Sequence, residues 1–201
     1  MTRKTFPALA IAAAIGTVLL AAHPVRATVM VEFALEDMIR DADAVVRGVV
    51  ERSSVRMDLR TGQLEPWTIT RVRTSAWLKS SSRAPQGDIV EVEELGGVWN
   101  GGGSWIDGTP RYRVNEEVVV LLKRDREGHL RTHGMVQGKF VVLRGAPGVA
   151  TVMVRDLSSV GFARWVDGQM TIAQRTADPA MDFEHFAALV RQMATYAGSA
   201  R

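Results

Sequence analysis

From Ala44 to Arg155 the chain is a succession of short runs rich in valine and threonine, most of them separated by turns that contain glycine. Strands of about five or six residues need such punctuation, so the pattern restricts this region to β structure with tight connections. Ala44 to Val55 forms a first valine-rich run, and Gly48 in its middle marks a bend or a close backbone approach. After the turn Arg60-Thr-Gly62, Thr68, Thr70, Val72 and Thr74 alternate with Trp67, Ile69, Arg71 and Arg73. That alternation predicts a second strand, paired with the first in a long hairpin. Asp88 to Leu95 predicts a third strand, and Val118-Val-Val-Leu-Leu122 is an unbroken apolar run suited to a strand buried on both faces. Further strands are expected at His129–Thr132, Gly138–Arg144 and Val149–Arg155, the last two joined across Gly145-Ala-Pro-Gly148. About seven strands at short spacing predict a barrel or a sandwich. Phe162–Gln174 takes no firm element.

Helices are expected only at the ends of this β region. Leu35, Met38 and Ile39 stand at helical spacing within Phe33–Asp41. Near the C-terminus, Asp178-Pro179 reads as a helix start, followed by an apolar stripe of Phe183, Phe186, Leu189, Val190, Met193 and Tyr196. Glu184, His185, Arg191 and Gln192 occupy the opposite face, which suits a helix packed on a core.

The segment before the first strand has a different character. Arg3 and Lys4 precede an apolar stretch from Phe6 to Ala22, and Val25-Arg26-Ala27 places suitable residues at a cleavage site. The expectation is a signal peptide over residues 1–27, cut after Ala27, with export to the periplasm or beyond. Only if the segment stays attached would the protein meet a membrane, because 17 residues are the least that span one. No cysteine exists to carry a lipid, and Arg3-Lys4 is not a twin-arginine pair.

Removing the leader changes the electrostatics. The chain has 25 Lys+Arg and 22 Asp+Glu, but Arg3, Lys4 and Arg26 lie in the leader, which leaves 22 of each. A net charge of zero gives no reason to propose nucleic acid, which would need a concentrated positive face, so it is not an expected partner. Residues 28–201 suffice for one domain with its own core, and without cysteine no disulfide can reinforce that core.

Few residues suggest chemistry. Leu95-Gly-Gly-Val-Trp-Asn-Gly-Gly-Gly-Ser-Trp-Ile-Asp-Gly108 is glycine-rich but lacks the Lys-Ser/Thr ending of a phosphate-binding loop and does not open a helix. Trp99, Asn100 and Trp105 in this segment are the candidate ligand-binding residues, offering flat rings to a sugar or a partner side chain. The competing expectation is that each tryptophan folds down as a lid over an open barrel end. His129 and His133 have a zinc-like spacing for a helix, but on a strand they stand about 13 Å apart, too far to share an ion. No metal and no cofactor is expected. Glu91 and Glu93 share one strand face and read as its solvated side. Neither a Gly-x-Ser-x-Gly elbow nor a cysteine nucleophile is present, so no catalytic residue is assigned.

Asp43-Ala-Val-Val-Arg-Gly48-Val-Val, Trp77-Leu-Lys79, Gly87-Asp-Ile-Val-Glu-Val, Asn115-Glu-Glu-Val-Val-Val-Leu-Leu122 and Gly134-Met-Val-Gln-Gly138-Lys-Phe follow one another in an order that resembles a family of uncharacterised secreted bacterial proteins. More distantly, it resembles the netrin-like, or tissue-inhibitor-of-metalloproteinase-like, domain over Leu35 to Phe140. That resemblance implies a mainly β, α+β fold: a small closed or partly open antiparallel barrel, OB-like, with a short N-terminal helix and an amphipathic C-terminal one. The inhibitors of that group use an N-terminal cysteine, which is lacking here, so their mechanism does not carry over. The expected function is a non-catalytic binding module for a protein or polysaccharide of the cell envelope. Two alternatives stand: a secreted hydrolase in which Glu93, His129 or His133 converges on a serine or a water, and a structural envelope protein that self-associates.

Overall fold

The structure, a computed structural model, describes residues 28–60, 62–84, 86–174 and 178–199, with side chains as far as residue 194. The expected leader lies outside the described residues, as do Thr61, Pro85 and the side chain of Tyr196. The described residues begin with strand β1 (Thr28–Val31) and helix α1 (Leu35–Asp41). Two 16-residue strands, β2 (Ala44–Leu59) and β3 (Leu64–Lys79), then form the expected long hairpin, paired from Val45↔Lys79 to Leu59↔Leu64. Next come β4 (Ile89–Leu95) and the small strands β5 (Gly97–Trp99) and β6 (Gly102–Ser104). They are followed by β7 (Glu117–Arg124), β8 (Leu130–Thr132), a 3₁₀ turn at Met135–Gly138, and β9 (Lys139–Leu143). The chain ends with β10 (Val152–Val154), β11 (Val160–Val166), β12 (Gln169–Gln174), β13 (Met181–Asp182) and helix α2 (Phe183–Ser199).

The molecule is mainly β, and its largest sheet is antiparallel, in the order β13-β10-β9-β7-β2-β3-β4 with β8 also on β7. Gly48 does mark a close approach. A Cβ there would stand 2.3 Å from the Arg73 carbonyl oxygen, and the β2–β3 register shifts beside it.

β7 is covered on both faces, as its sequence predicts. Val118, Val120 and Leu122 join Ala44, Val46, Val50, Val72, Val90 and Val92 in a core inside the curled sheet. Val119 and Leu121 turn the other way and meet the two helices, with Met38 and Ile39 from α1 and Phe183, Phe186 and Val190 from α2. Lys79, at the end of β3, donates from its Nζ to the carbonyls of Ile39 (2.7 Å) and Arg40 (2.8 Å), satisfying acceptors at the end of α1.

The expected start of α2 needs correction. Asp178 forms an ion pair with Arg155, and Met181 and Asp182 remain extended because they pair with β10. The cap is therefore Asp182, whose Oδ1 accepts the His185 N–H at 2.8 Å.

Phe162–Gln174, left open by the sequence, is the β11–β12 hairpin. Asp167 and Gly168 both take positive φ (51° and 77°), the two-residue loop that suits strand twist. β1 joins it in parallel to make a second, three-stranded sheet, which buries Met30, Val160 and Phe162 against Val136 and Leu157.

Among the described residues no closed barrel is found, and the large sheet has β4 and β13 at its ends. Where β4 faces β8 a side chain bridges the gap: the Thr132 N–H donates to Glu94 Oε1 at 2.9 Å. The Thr132 hydroxyl lies 2.5 Å from that of the partly buried Tyr112. Burial pushes the Glu94 carboxyl up to about 7, against the weaker pull of its bonds from Thr132.

This position predicts a pH-dependent stability. Between about 4.5, the ordinary value, and about 7, the folded protein retains a Glu94 proton that the unfolded chain has released. The contribution is full below this window, is lost as pH rises through it, and amounts to roughly 3 kcal/mol. Glu94→Gln should flatten the curve of urea midpoint against pH between about pH 5 and 8; an unchanged slope would show that another group titrates there.

Candidate binding cleft beside Trp105

Asn100 and Gly101 form the turn between β5 and β6, with φ of 47° and 80°, and Trp99 pairs with Gly102. This is an Asn-Gly hairpin loop, a signal present in the sequence but submerged in its glycines. Alternation along the strands separates the two candidate tryptophans. Trp99 shares a face with Gly97, Gly102 and Ser104, whereas Trp105 follows Gly103 and Val98 on the other. A Cβ placed on Gly103 would meet Trp105 Nε1 at 3.1 Å, which locates the indole over that glycine. Trp99, Asn100 and Trp105 therefore belong to one hairpin but present no common surface. Nor does either ring behave as a lid: Trp99 is 44% and Trp105 52% exposed, and neither belongs to a core cluster.

Trp105 borders a cleft of about 390 Å³ between the 105–116 segment, the start of β9 and the 156–159 turn. Buried contacts hold this segment in place. Val136 N–H donates to the Gly108 carbonyl at 2.9 Å, and Gly108 itself, at φ 88°, packs tightly against Met30 and Val160. Lys139, with a side chain only 11% exposed, donates to the Arg111 carbonyl (2.5 Å) and to Glu116 Oε2 (2.6 Å). Burial lowers the Lys139 ammonium from its ordinary value, while Glu116 opposes that shift.

The open walls are polar. The Arg111 guanidinium lies 4.9 Å from the centre of the Trp105 ring. Across the cleft Asp156 accepts from the Ser158 hydroxyl (2.6 Å) and N–H (3.0 Å), bonds that hold its carboxyl below the usual range. Arg111, Arg113 and Lys139 are balanced by Asp107, Glu116 and Asp156. The arrangement offers an aromatic face, hydroxyls and both signs of charge in equal number. It lacks the grouping of nucleophile, base and orienting acid that hydrolysis by a serine requires, because Ser158 is bonded to a carboxylate and no imidazole lines the cleft.

Glu93 and His129 do converge elsewhere, with Oε1 and Nδ1 3.1 Å apart. The expectation that Glu93 is solvated is thereby corrected, since its side chain is 9% exposed. The long β2–β3 hairpin brings Arg60, itself 5% exposed, and Arg56 onto its other oxygen. Arg60 and Arg131 also lie against the Trp67 ring, at 4.2 and 4.3 Å from its centre. Among the described residues no serine or threonine hydroxyl bonds to His129, and His133 sits apart, near Lys123, Asp41 and Asp43. Glu91, by contrast, remains exposed. The Glu93 cluster thus has the character of a buried ionic clamp.

No protein-family model, curated protein or solved structure matches this chain.

The geometry separates the scaffold of the cleft from its open wall. Lys139→Met, which leaves Glu116 half-buried without its ammonium, should cost about 1–3 kcal/mol in urea unfolding. Trp105→Ala, which removes a half-exposed ring, should cost less than about 1 kcal/mol. Equal losses would show that Trp105 is part of the scaffold.

Proposed function

We propose that the protein is an exported, non-catalytic binding module of the cell envelope that takes a neutral glycan in the cleft beside Trp105. The observation that carries this reading is a half-exposed indole on the border of a charge-balanced cleft. Apolar sugar faces stack on aromatic rings, and their hydroxyls both donate and accept, as the carboxylates, guanidinium groups and serines here can match. A phosphate or a strongly acidic ligand would call for an excess of cations, which the cleft lacks. Export rests on the character of residues 1–27, whose charged start, apolar middle and small-residue end suit cleavage after Ala27.

The same reading treats the large sheet as an OB-like barrel left partly open. β2, β3 and β4 form a meander, β7 returns beside β2, and β8 turns back from β7 toward β4. That strand order, with a side-chain bridge at Glu94 in place of the last ladder, supports kinship with netrin-like domains.

The test is titration calorimetry of the purified protein with neutral oligosaccharides released from envelope polysaccharide. Trp105→Ala should weaken binding about tenfold or more, while Trp99→Ala, on the far face of the hairpin, should change it little. Binding that survives Trp105→Ala, or that follows Trp99, would overturn the assignment to this cleft.

A further inference from the structure

The Trp105 indole has neighbours on two sides. Its pyrrole edge lies over β6, where a Cβ added to Gly103 would stand 3.1 Å from Nε1 and 3.7 Å from Cδ1. Over the ring stands the Arg111 guanidinium, 4.9 Å from the centroid. Both residues line the cleft, so a sugar that approaches the indole from the cleft competes with this guanidinium for the same ring. Arg111 differs from the other arginines that lie over aromatic rings. Arg47, Arg60, Arg131 and Arg155 do so too, and each is also pinned by a carboxylate, from Glu117, Glu93, Asp125 and Asp178 in turn. Among the described residues no carboxylate pairs with the Arg111 guanidinium, and the side chain is exposed. The main chain, by contrast, is fixed, because the Arg111 carbonyl accepts from Lys139 Nζ at 2.5 Å. The residue is anchored at its backbone and held at its tip by the ring alone.

We infer that Arg111 is a gate on the Trp105 ring: its guanidinium covers the indole in the free protein and swings off when a neutral sugar stacks there. What enters the cleft rests on the glycan reading, whereas the covered ring is a property of the protein without ligand. The consequence runs against the usual expectation for a polar cleft. A donor-rich side chain ordinarily adds to the binding of a hydroxylated ligand. Arg111 instead lowers affinity, because only molecules with the ring uncovered are competent to bind, and apparent affinity falls by that fraction. A contact between an exposed cation and a ring is weak, so the gate opens readily and costs the ligand about two- to fivefold in affinity. The fixed backbone matters here, since it keeps the guanidinium within reach of the ring each time the ligand leaves.

Titration calorimetry with the same neutral oligosaccharides should show Arg111→Ala binding about two- to fivefold more tightly than the wild type. The gain should vanish in the double variant Trp105→Ala/Arg111→Ala, compared with Trp105→Ala, because the gate acts only through the ring. A second measurement needs no ligand. Acrylamide quenching of tryptophan fluorescence, with the share of Trp105 taken as the difference from the matching Trp105→Ala protein, should be faster once Arg111 is replaced by alanine. Weaker binding by Arg111→Ala would make the guanidinium part of the contact surface and overturn the inference. So would a gain of the same size in the absence of Trp105, which would reflect charge alone, or unchanged quenching, which would show that the ring is already open. If Trp105→Ala binds as well as the wild type, the glycan reading of the cleft falls, and the quenching result still decides whether Arg111 covers the ring.

Discussion

The architecture depends on the two-sided burial of β7. Five consecutive residues, Val118 to Leu122, are fully removed from water, three toward the inside of the curled sheet and two toward the helices. A strand that is apolar on both faces gains from burial only when a layer covers each of them. That requirement accounts for the curl, which brings β3 and β4 around the inner side, and for the docking of α1 and α2 on the outer. With no disulfide available, these contacts carry the fold.

Buried charge then sets the details at the margins of this core. Glu93, Glu94 and Lys139 lie where water is scarce, and each has a specific partner: Arg60, Thr132 and Glu116, while the partly buried Lys79 bonds the end of α1. An isolated charge in such a place is costly, so partners at defined positions favour one arrangement of loops and edges over its neighbours. Lys139 illustrates the link to the cleft. By tying the Arg111 carbonyl and Glu116 to the start of β9, it holds the segment that carries Trp105 across the cleft.

Two apolar features lie outside this economy of burial. Trp105 remains half open to solvent above its cleft, and the outer face of the β1–β11–β12 sheet is bare from Val29 to Trp165. They sit on different sheets and differ in chemistry. The first is surrounded by polar groups of both signs and suits a small hydroxylated ligand; the second is mostly apolar, with Gln174 at one end of it.

Much of the scaffold was legible in the linear chain because local periodicity reports which side of an element meets the core. The long hairpin, the doubly buried run at Val118–Leu122, the close approach at Gly48 and the apolar stripes of both helices followed from residue spacing alone. Asn100-Gly101 and Asp167-Gly168 carried the signal for two tight hairpins as well, though glycine-rich surroundings obscured the first and uneven alternation the second. Other features depended on contacts between distant residues. Glu93 and Glu91 have the same strand parity, yet only Glu93 is buried, because Arg60 from the tip of another hairpin closes over it. Asp182 and not Asp178 caps α2, because pairing with β10 keeps the intervening chain extended. Trp99 and Trp105, close in sequence, diverge because strand pairing assigns them opposite faces. The sequence by itself determined the long hairpin, the doubly buried β7 and the apolar stripes of the two helices, since each follows from the period of a short segment. Tertiary structure alone decided which charges are enclosed, where the cleft opens and which apolar face stays uncovered, since each depends on what a distant segment brings alongside.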